Sequence, residues 1–376
     1  MDANDRRRRP RPPAGLLAMI ALVTLVEAIV ARHALDLKSI EEWDWSLNGQ
    51  AARGKVRDRD LLCFGDSLVK LGVLPPVIER ASGLRATNLS VCAAQASTSY
   101  FQLRRALEAG AKPKGVVVDF FPYFLTLDHR EHGQLLPELL EVRDAIDLAR
   151  SRRDAGLAGS ILLAKLLPSL RDRAAIRAGV AAALRGEPAS KRFETFHCQR
   201  NWRLNGGGMV FPRNDRFRGE FDPKNPVLFD VDWRPDPVNV GYVRRFLALA
   251  RSRGVRVYWL LPPIVPEAQA RRDRLGVEAA QERFIDGMLA EFPDVVVLDA
   301  RHSGYESALF WDPIHLDRHG ATALSVGVAM AVERGAQGRW VALPSYRPRP
   351  ILERAVEDIE QSRLAIHDRD PAGGRR

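Results

Sequence analysis

Five short apolar runs, separated by helical text, restrict the possible fold of this chain more than any other feature. They are DLLCFG at 60–65, ATNLSV at 86–91, GVVVDFF at 115–121, VRVYWLLPP at 255–263 and DVVVLDA at 294–300. A short apolar run bounded by turn residues suits a strand covered on both faces. The intervening text has helical periodicity. In STSYFQLRRALEAG (97–110), Tyr100, Leu103, Ala106 and Leu107 share one face and Gly110 stops the helix. SLVKLGVLPPVIERASG reads as a helix broken by two prolines, VGYVRRFLALARSRG as a second helix, 266–291 as a third, and GATALSVGVAMAVERG as a closing helix. Strand alternating with helix predicts an α/β fold with a parallel, doubly wound sheet.

The rhythm breaks between about 127 and 240. Residues 127–195 are helical and basic, and 196–240 are irregular, with NGGGMVFPRND, several prolines and two tryptophans. This stretch reads as an insertion or cap, or equally as more scaffold. Its Trp and Phe residues at 196–233 either pack or line a sugar groove, and both readings stay open.

The N-terminus suggests a membrane. RRRRPRPP precedes AGLLAMIALVTLVEAIVA, an apolar run interrupted only by Glu27. Its length is near the lower limit for a spanning helix. Arginines in front of it predict a cytoplasmic N-terminus and an extracytoplasmic remainder. A cleaved signal peptide, with VEA before Ile29 as its cleavage site, and a buried core helix are the rival readings. The expected organisation is a basic tail at 1–13, an anchor at 14–31, a stalk at 32–58, a domain at 59–335 and a C-terminal extension at 336–376. That extension is expected to trail over the surface, with a short helix near 351–365.

Composition adds exclusions. A hydrophobic content of 46% with 28% charged residues is that of a globular chain. Of the net charge of +10, residues 1–12 carry +3 through five Arg and two Asp. The rest is diffuse, fits an anionic surface or polymer, and comes with no nucleic-acid motif. Three cysteines supply neither a disulfide framework nor a metal spacing; Cys63 and Cys92 read as small buried hydrophobes.

In a doubly wound sheet, functional groups gather beyond the carboxyl ends of the strands. The first run ends in Gly65-Asp66-Ser67-Leu68. Glycine permits a tight turn, and Ser67 then opens a helix, where its N–H helps hold an oxyanion. Far along the chain, FWDPIHLDRHGA (310–321) places Asp312 three residues before His315. A serine hydroxyl is nearly inert at neutral pH without a base. The expected roles are Ser67 as nucleophile, His315 as its base and Asp312 as the carboxylate that orients the imidazole. Asp66 is expected to cap the turn or helix. His319, four residues after His315, gives with Asp312 a metal-ligand pattern that no Cys or further His cluster supports, and no cofactor or metal is expected.

FGDSL near the start of the domain and DPIHLDRHG near its end resemble the first and last blocks of the SGNH/GDSL hydrolases. The resemblance covers about 60–126 and 240–335. It implies a flavodoxin-like, three-layer α/β/α sandwich with strand order 2-1-3-4-5, and cleavage or transfer of acyl esters. The family's second block supplies a glycine N–H to the oxyanion hole and its third an asparagine side chain. Here the second block is NLSVCAAQAS, with Ala93 or Ala94 where glycine is usual, and the third is VVVDFFPYF, with no asparagine. The implied oxyanion donors are the N–H of Ser67 and that of Ala93 or Ala94, with Gln95 as a substitute side chain. The anchor and the insertion resemble the membrane-anchored, extracytoplasmic branch that modifies cell-envelope polysaccharides. That implies an esterase or O-acyltransferase, a glycan or small acyl ester as substrate, and a membrane acyl-donor partner. The missing asparagine also fits an inactive scaffold or glycan-binding protein of the same fold.

Overall fold

A computed structural model describes residues 14–32, 38–54, 56–186 and 192–367. The basic tail at 1–13, residues 33–37 of the expected stalk and the last residues of the C-terminal extension lie outside them. In chain order the elements used below are α1 (Ala14–Arg32), α2 (Ile40–Gly54), β1 (Leu61–Phe64), α3 (Ser67–Gly72), β2 (Ala86–Asn88), α4 (Ala96–Glu108), β3 (Gly115–Val118), α5 (Ala155–Leu166), α6 (Pro168–Arg171), α7 (Arg173–Leu184), α8 (Pro237–Ser252), β4 (Arg256–Leu261), α9 (Val277–Glu291), β5 (Val296–Asp299), α10 (Arg318–Glu333) and β6 (Trp340–Ala342).

The six strands form one all-parallel sheet in the order β2-β1-β3-β4-β5-β6. Side chains alternate across it, as the two-residue period of a strand requires. Leu62, Phe64, Val116, Val118 and Trp259 enter one core with Trp45, Phe101, Phe246 and Ile285 from α2, α4, α8 and α9. Leu61, Cys63, Val117, Tyr258 and Leu260 enter a second core with Val69 and Leu324 from α3 and α10. Helices therefore flank both faces, and the runs lack alternation because both faces are buried. Each of these large side chains contributes about 1.5–3 kcal/mol by leaving water.

Three expectations are corrected. Residues 32–58 are not a free stalk, because α2 packs into the first core: Trp45 is buried, and Lys38 just before the helix binds Glu138 at 2.6 Å. The C-terminal extension does not simply trail, because β6 pairs in parallel with β5 through Val297 and Trp340. The helix expected over 266–291 is two helices, because Gly276 takes φ +75° and ends the first, a left-handed conformation suited to glycine. Among the described residues of 127–240, most of 136–184 is helical, and a helix at Arg192–Leu204 overturns the expectation that the irregular text begins at 196. The rest is irregular, apart from a short helix at Pro226–Phe229, until α8 begins at Pro237.

α1 is 19 residues long, buries no residue and is long and apolar enough to cross a membrane. Glu27 near its C-terminal end accepts the backbone N–H of Ser169 at 2.8 Å and the Ser169 hydroxyl at 2.5 Å.

Candidate functional site

β1 and β3 lie side by side, and β2 lies on the far side of β1. The strand order reverses there, which opens a crevice beyond the strand ends. At the end of β1, Gly65 takes φ +126°, and a Cβ on it would come within 1.7 Å of Asp119 Oδ1. Only glycine fits both the turn and the close approach. Asp66 then caps α3 as expected, its Oδ1 accepting the Leu68 N–H at 2.8 Å. Ser67, the first residue of the helix, is half-buried with its hydroxyl at the crevice.

The partner loop comes from the other end of the chain. Phe310 and Leu316 form an antiparallel bridge, and the Trp311 N–H donates to the His315 carbonyl at 2.8 Å. Inside this closed loop, Asp312 Oδ1 accepts the N–H groups of Ile314 (3.0 Å) and His315 (2.9 Å), and Oδ2 lies 2.7 Å from His315 Nδ1. His315 Nε2 lies 2.8 Å from Ser67 Oγ. The three residues picked from the sequence thus form one continuous chain of hydrogen bonds across 248 positions. Burial would raise the Asp312 carboxyl, but the hydrogen bond and charge of His315, with the two N–H donors, hold it below the usual range. An ionised Asp312 fixes the imidazole with its Nδ1 proton inward and Nε2 free to take a proton from Ser67.

The insertion braces this loop. Phe211 stacks on Trp311 at 5.1 Å between centroids and meets His315 edge-on at 6.2 Å. The Asn214 amide donates to the Trp311 carbonyl at 2.8 Å. Phe211 is therefore the aromatic of the irregular stretch that reaches the site. Trp202 is buried, and Trp233 packs on Phe284. His319 turns to Glu353 at 3.0 Å.

The candidate oxyanion donors separate on inspection. The Val91 N–H donates to the Gly65 carbonyl at 3.1 Å, which pins the 91–94 turn beside Ser67. Ala93 has φ 58°, a left-handed conformation that costs a non-glycine residue about 1 kcal/mol. The Ala94 N–H is bonded within the turn to the Val91 carbonyl at 3.2 Å. The Gln95 amide donates to the Leu127 carbonyl at 2.9 Å, with the side chain buried. Of the three, Ala93 keeps an N–H for an oxyanion. Its peptide is held from behind: the Trp45 indole donates to the Cys92 carbonyl at 2.9 Å, and the Cys92 N–H donates to Asp44 Oδ2 at 3.2 Å. A planar trans peptide points its N–H opposite to its carbonyl, so the bond to Trp45 aims the Ala93 N–H away from α2. Asp44 also pairs with Lys70 of α3 at 2.5 Å, both side chains buried.

Sequence reasoning missed this support, although a lysine in the apolar text of α3 and a tryptophan in a supposed stalk were its signals. It also missed Asp119, the charged residue inside VVVDFF, which in the structure follows the last residue of β3. Asp119 Oδ1 accepts the Asp66 N–H at 3.0 Å, while Asp66 Oδ2 and Asp119 Oδ2 are buried without hydrogen-bond partners. Burial lifts the Asp66 carboxyl to about 6, against the pull of the Leu68 N–H, Asp119 and His315. Burial, and then the charge of Asp66, raises Asp119 well above the usual range. Two carboxyls buried so close do not both ionise easily, so each raises the other's hold on its proton.

Both groups bind protons more tightly folded than unfolded. Their stabilisation is fully present below the unfolded value, about 3.9. It is lost as pH rises through the folded value, about 6 for Asp66. Asp119→Asn, whose amide has no such proton to lose, should therefore flatten the decline in melting temperature between about pH 4 and 8 and melt higher than the parent at the upper end. Parallel profiles for the two proteins would show that the pair is not linked to folding.

No protein-family model matches this chain, and no curated protein matches it.

Proposed function

We propose that this chain is an SGNH/GDSL-like serine esterase or O-acyltransferase, built on the flavodoxin-like sandwich of that family. The single observation that carries the reading is the chain Ser67 Oγ–His315 Nε2 at 2.8 Å and His315 Nδ1–Asp312 Oδ2 at 2.7 Å. In the reaction, Ser67 Oγ attacks the acyl carbon of an ester while His315 Nε2 takes its proton. The oxyanion is met by the N–H groups of Ser67 and Ala93. Collapse expels the alcohol, which leaves with the proton from His315, and the acyl group stays on Ser67. Water or a sugar hydroxyl, deprotonated by His315, then removes it. Water makes the enzyme an esterase and a sugar hydroxyl makes it a transferase.

α1 and the arginines before it support a location with a single span, the N-terminus cytoplasmic and the domain extracytoplasmic. A cell-envelope glycan carrying small acyl esters, acetyl above all, is the substrate class, and a membrane protein that supplies the acyl group is the implied partner. The absence of an asparagine in VVVDFFPYF favours a second reading, a glycan-binding scaffold that has kept the fold. Full-length protein in detergent, treated with a fluorophosphonate and assayed on p-nitrophenyl acetate, decides between them. The enzyme reading expects labelling and turnover that both disappear in Ser67→Ala. Equal background signals in the two proteins on both assays would leave the scaffold.

A further inference from the structure

The insertion carries a surface that does not suit water. α5, AGLAGSILLAKL, has one charged residue, Lys165, exposed along its stem, whose ammonium donates to the Pro137 carbonyl at 2.7 Å. Only Leu157 and Ile161 of this helix are buried. α7 buries no residue at all. Between them α5, α6 and α7 expose Leu163 (44%), Leu166 (74%), Leu170 (39%), Val180 (55%) and Leu184 (84%). A helix at a water surface turns its large apolar residues inward, and these five are instead open to solvent.

The position of this surface names its occupant. α6 sits against α1 through the two hydrogen bonds from Ser169 to Glu27. Glu27 lies five residues, or about 7.5 Å of helix, before Arg32 at the end of α1. α6 therefore brings this part of the insertion beside α1 near one end of that helix. Arg173 and Arg177 are exposed on α7, where cations meet headgroup phosphates when a helix lies at a bilayer boundary.

We propose that the apolar side of α5–α7 is a lipid-binding surface, seated in the half of the bilayer at the C-terminal end of α1. The inference rests on the reading of α1 as a membrane span and is independent of the chemistry at Ser67. Glu27, an awkward residue for a spanning helix, acquires a purpose: its carboxylate takes both donors of Ser169 and ties the two membrane elements together.

Full-length protein in vesicles of phosphatidylcholine and phosphatidylglycerol provides the test. Leu166→Cys and Leu184→Cys would carry an environment-sensitive fluorophore, with Leu22→Cys in α1 and Val231→Cys in the irregular stretch as references. The parent chain, whose Cys63 and Cys198 are buried and whose Cys92 is half-buried rather than buried as expected, sets the background labelling. The expected result is blue-shifted emission at 166 and 184, quenched by spin-labelled lipid as strongly as at 22, with 231 unquenched. Water-like emission at 166 and 184 beside a quenched 22 would overturn the proposal and leave the anchor standing. Blue-shifted but unquenched emission there would overturn it too, since protein, either a second copy or another membrane protein, would be the cover. An unquenched 22 would remove the anchor, and the proposal with it.

Discussion

Asp312→Asn is expected to lower kcat/KM on an activated ester about 10⁴-fold while leaving the chain folded. Asp312 does two jobs at once: Oδ1 collects the N–H groups of Ile314 and His315, and Oδ2 faces His315 Nδ1. An asparagine can keep the first job with its carbonyl oxygen. Its amide nitrogen then faces Nδ1 as a donor, so the imidazole must carry its proton on Nε2. That nitrogen can no longer accept from Ser67. His315→Ala should fall by a similar factor, and combining either change with Ser67→Ala should add little, because the three act as one unit. Because the Asp312 carboxyl is depressed, its stabilising contribution is present above the ordinary carboxylate range and is lost as pH falls through its lower folded value. The measurement is steady-state kinetics with thermal melts as a folding control. Asp312→Asn within a few-fold of the parent would mean that the carboxylate does not set the tautomer.

Lys70→Met should destabilise the protein by about 3–5 kcal/mol, the usual consequence of leaving one member of a buried ion pair alone. Lys70 is fully buried, 2.5 Å from Asp44 and 3.0 Å from the Ser90 carbonyl. Asp44 in turn accepts from the Asn48 amide and the Cys92 N–H. Burial already raises the Asp44 carboxyl, with Lys70 opposing, so loss of the lysine drives it to take up a proton. That uptake limits the damage and makes it less severe in acid. The double variant Lys70→Met/Asp44→Leu should lose less than the two single losses added together. Urea melts of the four proteins measure the coupling, and strictly additive losses would argue that the two side chains do not depend on each other.

What could be read in the sequence was whatever is local or follows a strand end. β1 to β5 announce themselves as apolar runs because both their faces are covered. Ser67 follows one of those runs, and Asp312 and His315 share a single tight loop, so chemistry and spacing suffice to pick them. The support around them was hidden by distance. Asp44 and Asn48 make α2 look like polar stalk, yet their partners Lys70, Cys92 and Trp202 lie 26 to 154 positions further along. Asp119 reads as the end of a strand, and only the fold reveals that it meets the N–H of Asp66, 53 residues earlier. β6 is three residues long at the sheet edge, too short to stand out in Pro- and Arg-rich text.

The packing of α2 also sets a working radius. Lys38 is already fastened to Glu138, and α2 follows it into the core. The chain from Arg32 at the end of α1 to Lys38 therefore has a contour of at most about 20 Å, whatever path it takes. On the proposed reading of α1 as a membrane span, a domain on so short a leash stays close to the bilayer, where the reading places the membrane-proximal ends of envelope polymers and any neighbour in the same membrane. On that reading, a polymer that ends well away from the membrane would have to bend back toward it to reach Ser67.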